Sequence, residues 1–158
     1  AYTDLNQDQR AIDDCTFALA IRPIDADVST SLLQNRANAY NCAHRYKEAL
    51  QDSELALKGT IKNEDDHWRI FHGKVDALIG LKRYSDALAT CDEAMELIAD
   101  DKPWLIDFNE LKISALKARN DKKLKDSEQI SKLQLECKRL ESALAAEKRE
   151  EQEGMNAR

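Results

Sequence analysis

An all-α fold, an α-solenoid of about three helical hairpins followed by a long C-terminal helix, is predicted for this 158-residue chain from three observations. Only four Gly and two Pro are present, too few turn-formers for the many short strands of a sandwich or barrel. Ala, Leu, Glu, Lys, Gln and Arg make up much of the sequence, and their summed helix preference over long windows is informative. The third is an internal repeat: Ala11, Ala49 and Ala87 align at a period of 38 residues, and a period of this size marks stacked supersecondary units.

The register holds beyond those alanines. Ala11, Cys15 and Ala18, then Ala49, Ser53 and Ala56, then Ala87, Cys91 and Ala94 place a small residue at i, i+4 and i+7 in each copy, with a larger apolar residue at i+1 and i+8. That spacing defines one helical face, narrow enough for another helix to approach closely. Arg45-Tyr46 and Arg83-Tyr84 precede the second and third copies. Helical stretches over Ser29 to Ala43 and His67 to Leu81 precede them in turn. Each unit thus reads as a helix, a short turn carrying an aromatic residue, and a second helix with small residues on its packing face. Such a hairpin cannot bury both faces alone, so stacked neighbours complete the core.

After the repeats, Asp100-Asp101-Lys102-Pro103-Trp104 reads as a helix start, an acidic cap followed by Pro in the first turn. From there to about Gln152 neither Gly nor Pro occurs. A long helix, broken near Asn120-Asp121, is expected. Leu105, Phe108, Leu111 and Ala115 give its first part an amphipathic face that caps the third unit. Ile130, Leu133, Cys137, Leu140 and Leu144 form a heptad seam in its second part. The seam spans only about two heptads, short of the three to four that argue a coiled coil. Pairing with a partner helix or a second copy and modest internal packing both remain open. The domain organisation read here is a repeat body over 1–99, the capping and extended helix over 100–152, and a disordered polar tail over 153–158.

The net charge of −6 divides unevenly: residues 1–101 carry 11 basic and 19 acidic side chains, net −8, and the remainder is net +2. No basic excess is present to attract phosphate backbones or anionic membranes, so no nucleic acid partner is expected. No apolar run is long enough to span a bilayer, so no membrane insertion is expected either, and no signal peptide is evident. Cys15, Cys42, Cys91 and Cys137 are scattered without a CxxC pair, which fits a reduced, cytoplasmic setting better than a zinc site or disulfide framework.

The repeat resembles the tetratricopeptide family. The residues that carry the likeness are Asn35-Arg36-Ala37, Tyr40, Tyr46, Ala49, Ser53 and Ala56-Leu57 in the second unit. In the third they are Leu78, Tyr84, Ala87, Cys91 and Ala94, and in the first Ala11, Cys15, Ala18-Leu19 and Pro23, where the family ends its second helix. The resemblance covers about residues 1–99. Two departures are evident: the period exceeds the family's usual figure of about 34 by roughly four residues, and the first unit lacks most of its opening helix. The surplus falls at Asp25 to Val28 and around Asn63 to Asp66. Longer second helices or longer links between units are the expected result.

The resemblance implies a non-enzymatic protein-binding adaptor whose concave groove takes an extended or helical peptide. Mapping that groove gives Ser31, Gln34, Asn35, Asn38, Asn41 and Cys42 from the second unit, and Arg69, His72, Gly73, Asp76 and Ile79 from the third. Amide side chains donate and accept at once, which suits a peptide backbone. Co-chaperones of the family grip the acidic C-terminal tail of cytosolic heat-shock chaperones through a carboxylate clamp. Asn35 and Arg69 match two clamp positions, while Gly73 stands where a basic residue belongs, with Lys74 adjacent. Arg36, Arg69 and Lys74 would have to concentrate in the groove for a body at net −8 to hold an acidic peptide. The alternative expectation is a structural scaffold subunit docked through its outer faces and the seam from Ile130 to Leu144.

Nothing in the sequence points to catalysis or to a cofactor. His67 and His72 are five apart and do not share a face as a ligand pair. Cys15 and Cys91 sit on the packing face as small hydrophobes, and Trp68 and Trp104 read as wedges between units. Neither a Gly-rich phosphate loop nor an HExxH or GxSxG sequence occurs.

Overall fold

The computed structural model describes residues 2–21, 25–61, 63–98, 101–119 and 124–156, and among them it is all-helical. Seven helices follow in order: α1 (Tyr2–Ala20), α2 (Ala26–Cys42), α3 (Tyr46–Ala56), α4 (Glu64–Gly80), α5 (Tyr84–Leu97), α6 (Lys102–Ala118) and α7 (Leu124–Asn156). The chain divides into two compact units, Ala1–Thr90 and Cys91–Arg158. The division falls inside α5. Within the second unit the later half of α5 is tied to α6 by an ion pair between Asp92 and Lys112 at 2.5 Å.

The 38-residue period is written into the backbone at the hairpin turns. Arg45 N–H donates to Tyr40 C=O and His44 N–H to Asn41 C=O; Arg83 N–H donates to Leu78 C=O and Lys82 N–H to Ile79 C=O. Each pair is a nested closure in which a left-handed residue terminates the helix and satisfies its last carbonyls. The left-handed residues are His44 (φ 59) and Lys82 (φ 60), where glycine would be the ordinary occupant. Arg45 then pairs with Glu48 and Arg83 with Asp86 across the first turn of the next helix.

The small-residue face is buried as expected in the second and third copies: Ala49, Ala56, Ala87, Cys91 and Ala94 are fully covered and Ser53 nearly so. The first copy differs. Ile12 and Cys15 are buried, but Ala11 is exposed and Ala18 only half-buried. In α1, the first helix of this chain, the apolar i+1 position carries the packing against α2. Pro23 lies outside the described residues. The stretches where the sequence placed the surplus, Asp25 to Val28 and Asn63 to Asp66, fall at the starts of α2 and α4. α2 and α4 each run 17 residues and start at Ala26 and Glu64. Asn63 caps α4 by accepting from Asp66 N–H at 2.8 Å, which fixes the helix start ahead of His67.

In the first unit α1 packs on α2, α2 on α3, α3 on α4, and α2 also meets α4. Trp68, Ile70, Phe71, Val75 and Leu78 give α4 its buried side. Gly80 is required by close approach, because a Cβ there would run into the ring of Tyr46, the turn aromatic of the preceding hairpin. The charged centre of this unit is Arg36 on α2. Its Nε and second terminal nitrogen donate to the two carboxylate oxygens of Asp52 on α3 at 2.6 and 2.9 Å, and its remaining nitrogen donates to Thr16 Oγ1 on α1 at 3.1 Å. The Asp52 side chain is 6% exposed, so the pair is largely removed from water.

In the second unit α6 starts where the sequence placed it, with Asp101 accepting from Trp104 N–H at 3.2 Å and Pro103 in the first turn. The Asn120-Asp121 break lies outside the described residues. α6 packs on α7, and Lys102 at the start of α6 meets Glu147 at 2.6 Å. α7 continues to Asn156, so residues 153–156 are helical and not the disordered tail expected from their polarity. Glu153 and Met155 are good helix formers and continue the Glu150-Glu151-Gln152 run that precedes them.

Arg36→Ala is expected to destabilise the chain by roughly 3–5 kcal/mol, because it strands a buried carboxylate. An Arg36→Met, Asp52→Leu double variant removes both charges and should recover most of that loss in urea denaturation.

Candidate functional site

The residues that the sequence assigned to a groove occupy one face where α2 and α4 meet. On α2, Ser31, Asn35, Asn38 and Cys42 are all exposed, and their spacing of four, three and four residues makes a single stripe. Asn41, on the edge of that stripe, donates from Nδ2 to Gly73 C=O of α4 at 2.8 Å. Gln34, two turns earlier on the same edge, is buried at 8% exposure and does not line the open face as expected. A position seven residues from a contact with a neighbouring helix lies on the same side of its own helix.

On α4 the face carries Arg69, His72 and Asp76. Arg69 is committed to Asp65 at 3.2 Å, one turn earlier on its own helix, and His72 Nδ1 lies 3.2 Å from Asp76 Oδ2. Gly73 is buried, and a Cβ placed there would lie 3.1 Å from Asn38 Oδ1. A side chain at this position would press on the Asn38 amide, which would have to give way. Of the three positive charges named for the groove, Arg36 is held by Asp52 and Thr16 and Arg69 pairs with Asp65.

At the far end of the face, Asn41, Cys42, His44, Tyr46, Asp76, Ile79 and Gly80 line an open cleft of about 330 Å³. His44 Nδ1 and Tyr46 OH are hydrogen-bonded to each other at 2.7 Å. Asn41 Oδ1 is buried without a hydrogen-bond partner. Partial burial pushes the Cys42 thiol up, Asp8 of α1 and Asp76 of α4 push it further, and its hydrogen bond with the backbone opposes them. Residues of α2 and α4, with His44 of the turn and Tyr46 at the start of α3, line one cleft. Sequence reading did not place Tyr46 or Gly80 here, and it read His44 only as a surface or groove polar residue. The one available signal was Gly80, a glycine inside a helix in a chain with only four.

The seam residues lie in the second unit. Cys137 is buried, and Ile130, Leu133, Leu140 and Leu144 are half-buried on a helix that packs against α6. A second cleft, of about 550 Å³, lies between α6 and α7 and is lined by Glu110, Ile113, Lys117, Cys137, Lys138 and Glu141, among others. The Cys137 thiol is raised by burial and then by Glu110 and Glu141. Among the described residues no three His, Cys, Asp or Glu side chains are grouped to hold a metal ion, and no helix is long and apolar enough to cross a membrane.

Comparison of the chain with protein families, with curated proteins and with solved structures finds no significant match.

Raised thiol pKa values predict slow chemistry at Cys42 although it is exposed. Its alkylation by iodoacetamide at pH 8 should be slower than that of a free cysteine, which ionises near about 8.5, and should keep rising with pH beyond that point. Asp76→Asn, which removes one of the repelling charges, should speed the reaction at fixed pH.

Proposed function

We propose that the chain is a non-enzymatic protein-interaction module, a tetratricopeptide-like array of hairpins whose α2–α4 face holds an extended peptide. The observation that carries this reading is the exposed amide stripe of Asn35 and Asn38 beside Arg69, His72 and Asp76, on two helices fixed together by the Asn41–Gly73 hydrogen bond. Amides supply donors and acceptors to a peptide backbone without demanding one side chain, and a face set on packed helices costs little ordering when it binds. The repeated hairpin turns and the shared burial of the small-residue faces support the array. A cytoplasmic adaptor of this kind is the reading we adopt.

The chaperone-tail version has less support than the general one. A terminal carboxylate needs charge-assisted donors; on this face Arg69 lies 3.2 Å from Asp65, and position 73 is a glycine where the clamp has a basic residue. Asn35→Ala with Asn38→Ala should weaken binding to hits from an extended-peptide array by about tenfold, the loss of two hydrogen bonds of roughly 0.5–1.5 kcal/mol each. Unchanged binding measured by fluorescence anisotropy would move the site off this face.

A scaffold role is favoured by a separate observation: Phe17, Leu55, Leu135 and Met155 are large apolar side chains left 44–73% exposed on α1, α3 and α7. Since the seam leucines are half-buried on a helix that packs against α6, the residue to change is Leu135, at 71% exposure. Under this reading Leu135→Glu dissociates the assembly in size-exclusion light scattering and leaves the thermal melt unchanged.

A further inference from the structure

We infer that the Cys42 end of the α2–α4 face receives a Lys or Arg side chain of the bound peptide, so that the module selects basic segments over acidic ones. This rests on the peptide-binding reading above and specifies the class of its ligand.

Three independent features converge on that end. The first is its hydrogen-bonding character. Asp76 brings a carboxylate to the cleft; its Oδ2 lies 3.2 Å from His72 Nδ1, and a carboxylate has more acceptor sites than that one contact uses. The cleft's hydroxyl and imidazole are bonded to each other. A carboxylate with acceptor sites left is complemented by a ligand that is only a donor, and ammonium and guanidinium groups are the side chains of that kind.

The second feature is charge. Asp76 lines the cleft together with Cys42, and Asp8 of α1 acts with it on the Cys42 thiol as a negative charge. The guanidinium groups that could have offset them are engaged elsewhere: Arg36 in the three-helix contact with Asp52 and Thr16, and Arg69 with Asp65. Residues 1–101 as a whole stand at net −8, which draws cationic ligands toward the surface and repels anionic ones. The third is shape. The cleft is open at the end of the amide stripe, bounded by Ile79 and the Tyr46 ring. It therefore offers apolar walls to the methylene stem of a long basic side chain whose charged head reaches the carboxylates.

The test uses the full chain and three fluorescein-labelled peptides of equal length: one with a central Lys, one with norleucine in its place, and one acidic with a free C-terminal carboxylate. Binding is followed by anisotropy at low and high salt. The Lys peptide should bind at least fivefold more tightly than the norleucine peptide, lose that advantage as salt rises, and protect Cys42 from alkylation. Asp76→Asn should reduce the advantage about fivefold, the size expected for one partly exposed charge pair, while Glu54→Gln, an exposed acid on α3, leaves it intact. Equal binding of the Lys and norleucine peptides overturns the charge selection and leaves the groove standing. Tighter binding of the acidic peptide reverses the polarity and restores the clamp. If none of the three binds, the groove reading fails with it.

Discussion

The buried pair between Arg36 and Asp52 is the constraint on which the first unit depends. A carboxylate 6% exposed is stable only when its charge is met and its oxygens are hydrogen-bonded, and the planar guanidinium does both at once in a two-point contact. That contact fixes the rotation of α2 relative to α3. The third nitrogen, on Thr16, extends the same constraint to α1. Once α2 is fixed in this rotation, Ser31, Asn35 and Asn38 must face outward, and Asn41 must reach Gly73. The open amide face is thus a consequence of where one buried charge is satisfied. The high apolar coverage of Ala37, Ala49 and Ala56 allows the approach but does not choose its register, since small residues pack in several.

The same pair takes one positive charge of the first unit away from the α2–α4 face. An arginine held inside, and another folded back on an acid of its own helix, leave the face to amides and carboxylates. Net charge alone could not have shown this, because a side chain contributes to the count wherever it points. What decides the ligand is the set of charges that remain uncompensated at the binding surface.

How far the sequence disclosed this architecture depends on the range of the interaction concerned. The period of 38 was legible because Ala49, Ser53 and Ala56 recur as Ala87, Cys91 and Ala94, and helical phase follows from local spacing. The start of α6 was legible because Asp101 and Pro103 act within one turn. The turns at His44 and Lys82 were hidden, since neither residue advertises a left-handed backbone as Gly would. Arg36 and Asp52 are 16 residues apart on different helices, and no local pattern pairs them. Gln34 was placed on the face by its polarity, but its burial follows from the edge it shares with Asn41. The Cys42 cleft joins residues of α2 and α4 with His44 of the turn and Tyr46 at the start of α3, which spacing within α2 and α4 could not supply.

The two left-handed turns also govern where this fold is softest. A residue with a Cβ held at φ near +60 carries a strain of roughly 1–2 kcal/mol that glycine would not, and the repeat places it at the same point of both described hairpin turns. Strain of this kind lowers the free energy needed to open the segment that bears it, while the alanine faces on either side stay closed. The hairpin turns are therefore the points where this strain is concentrated, and His44, which sits in one of them, also lines the cleft at the end of the α2–α4 face.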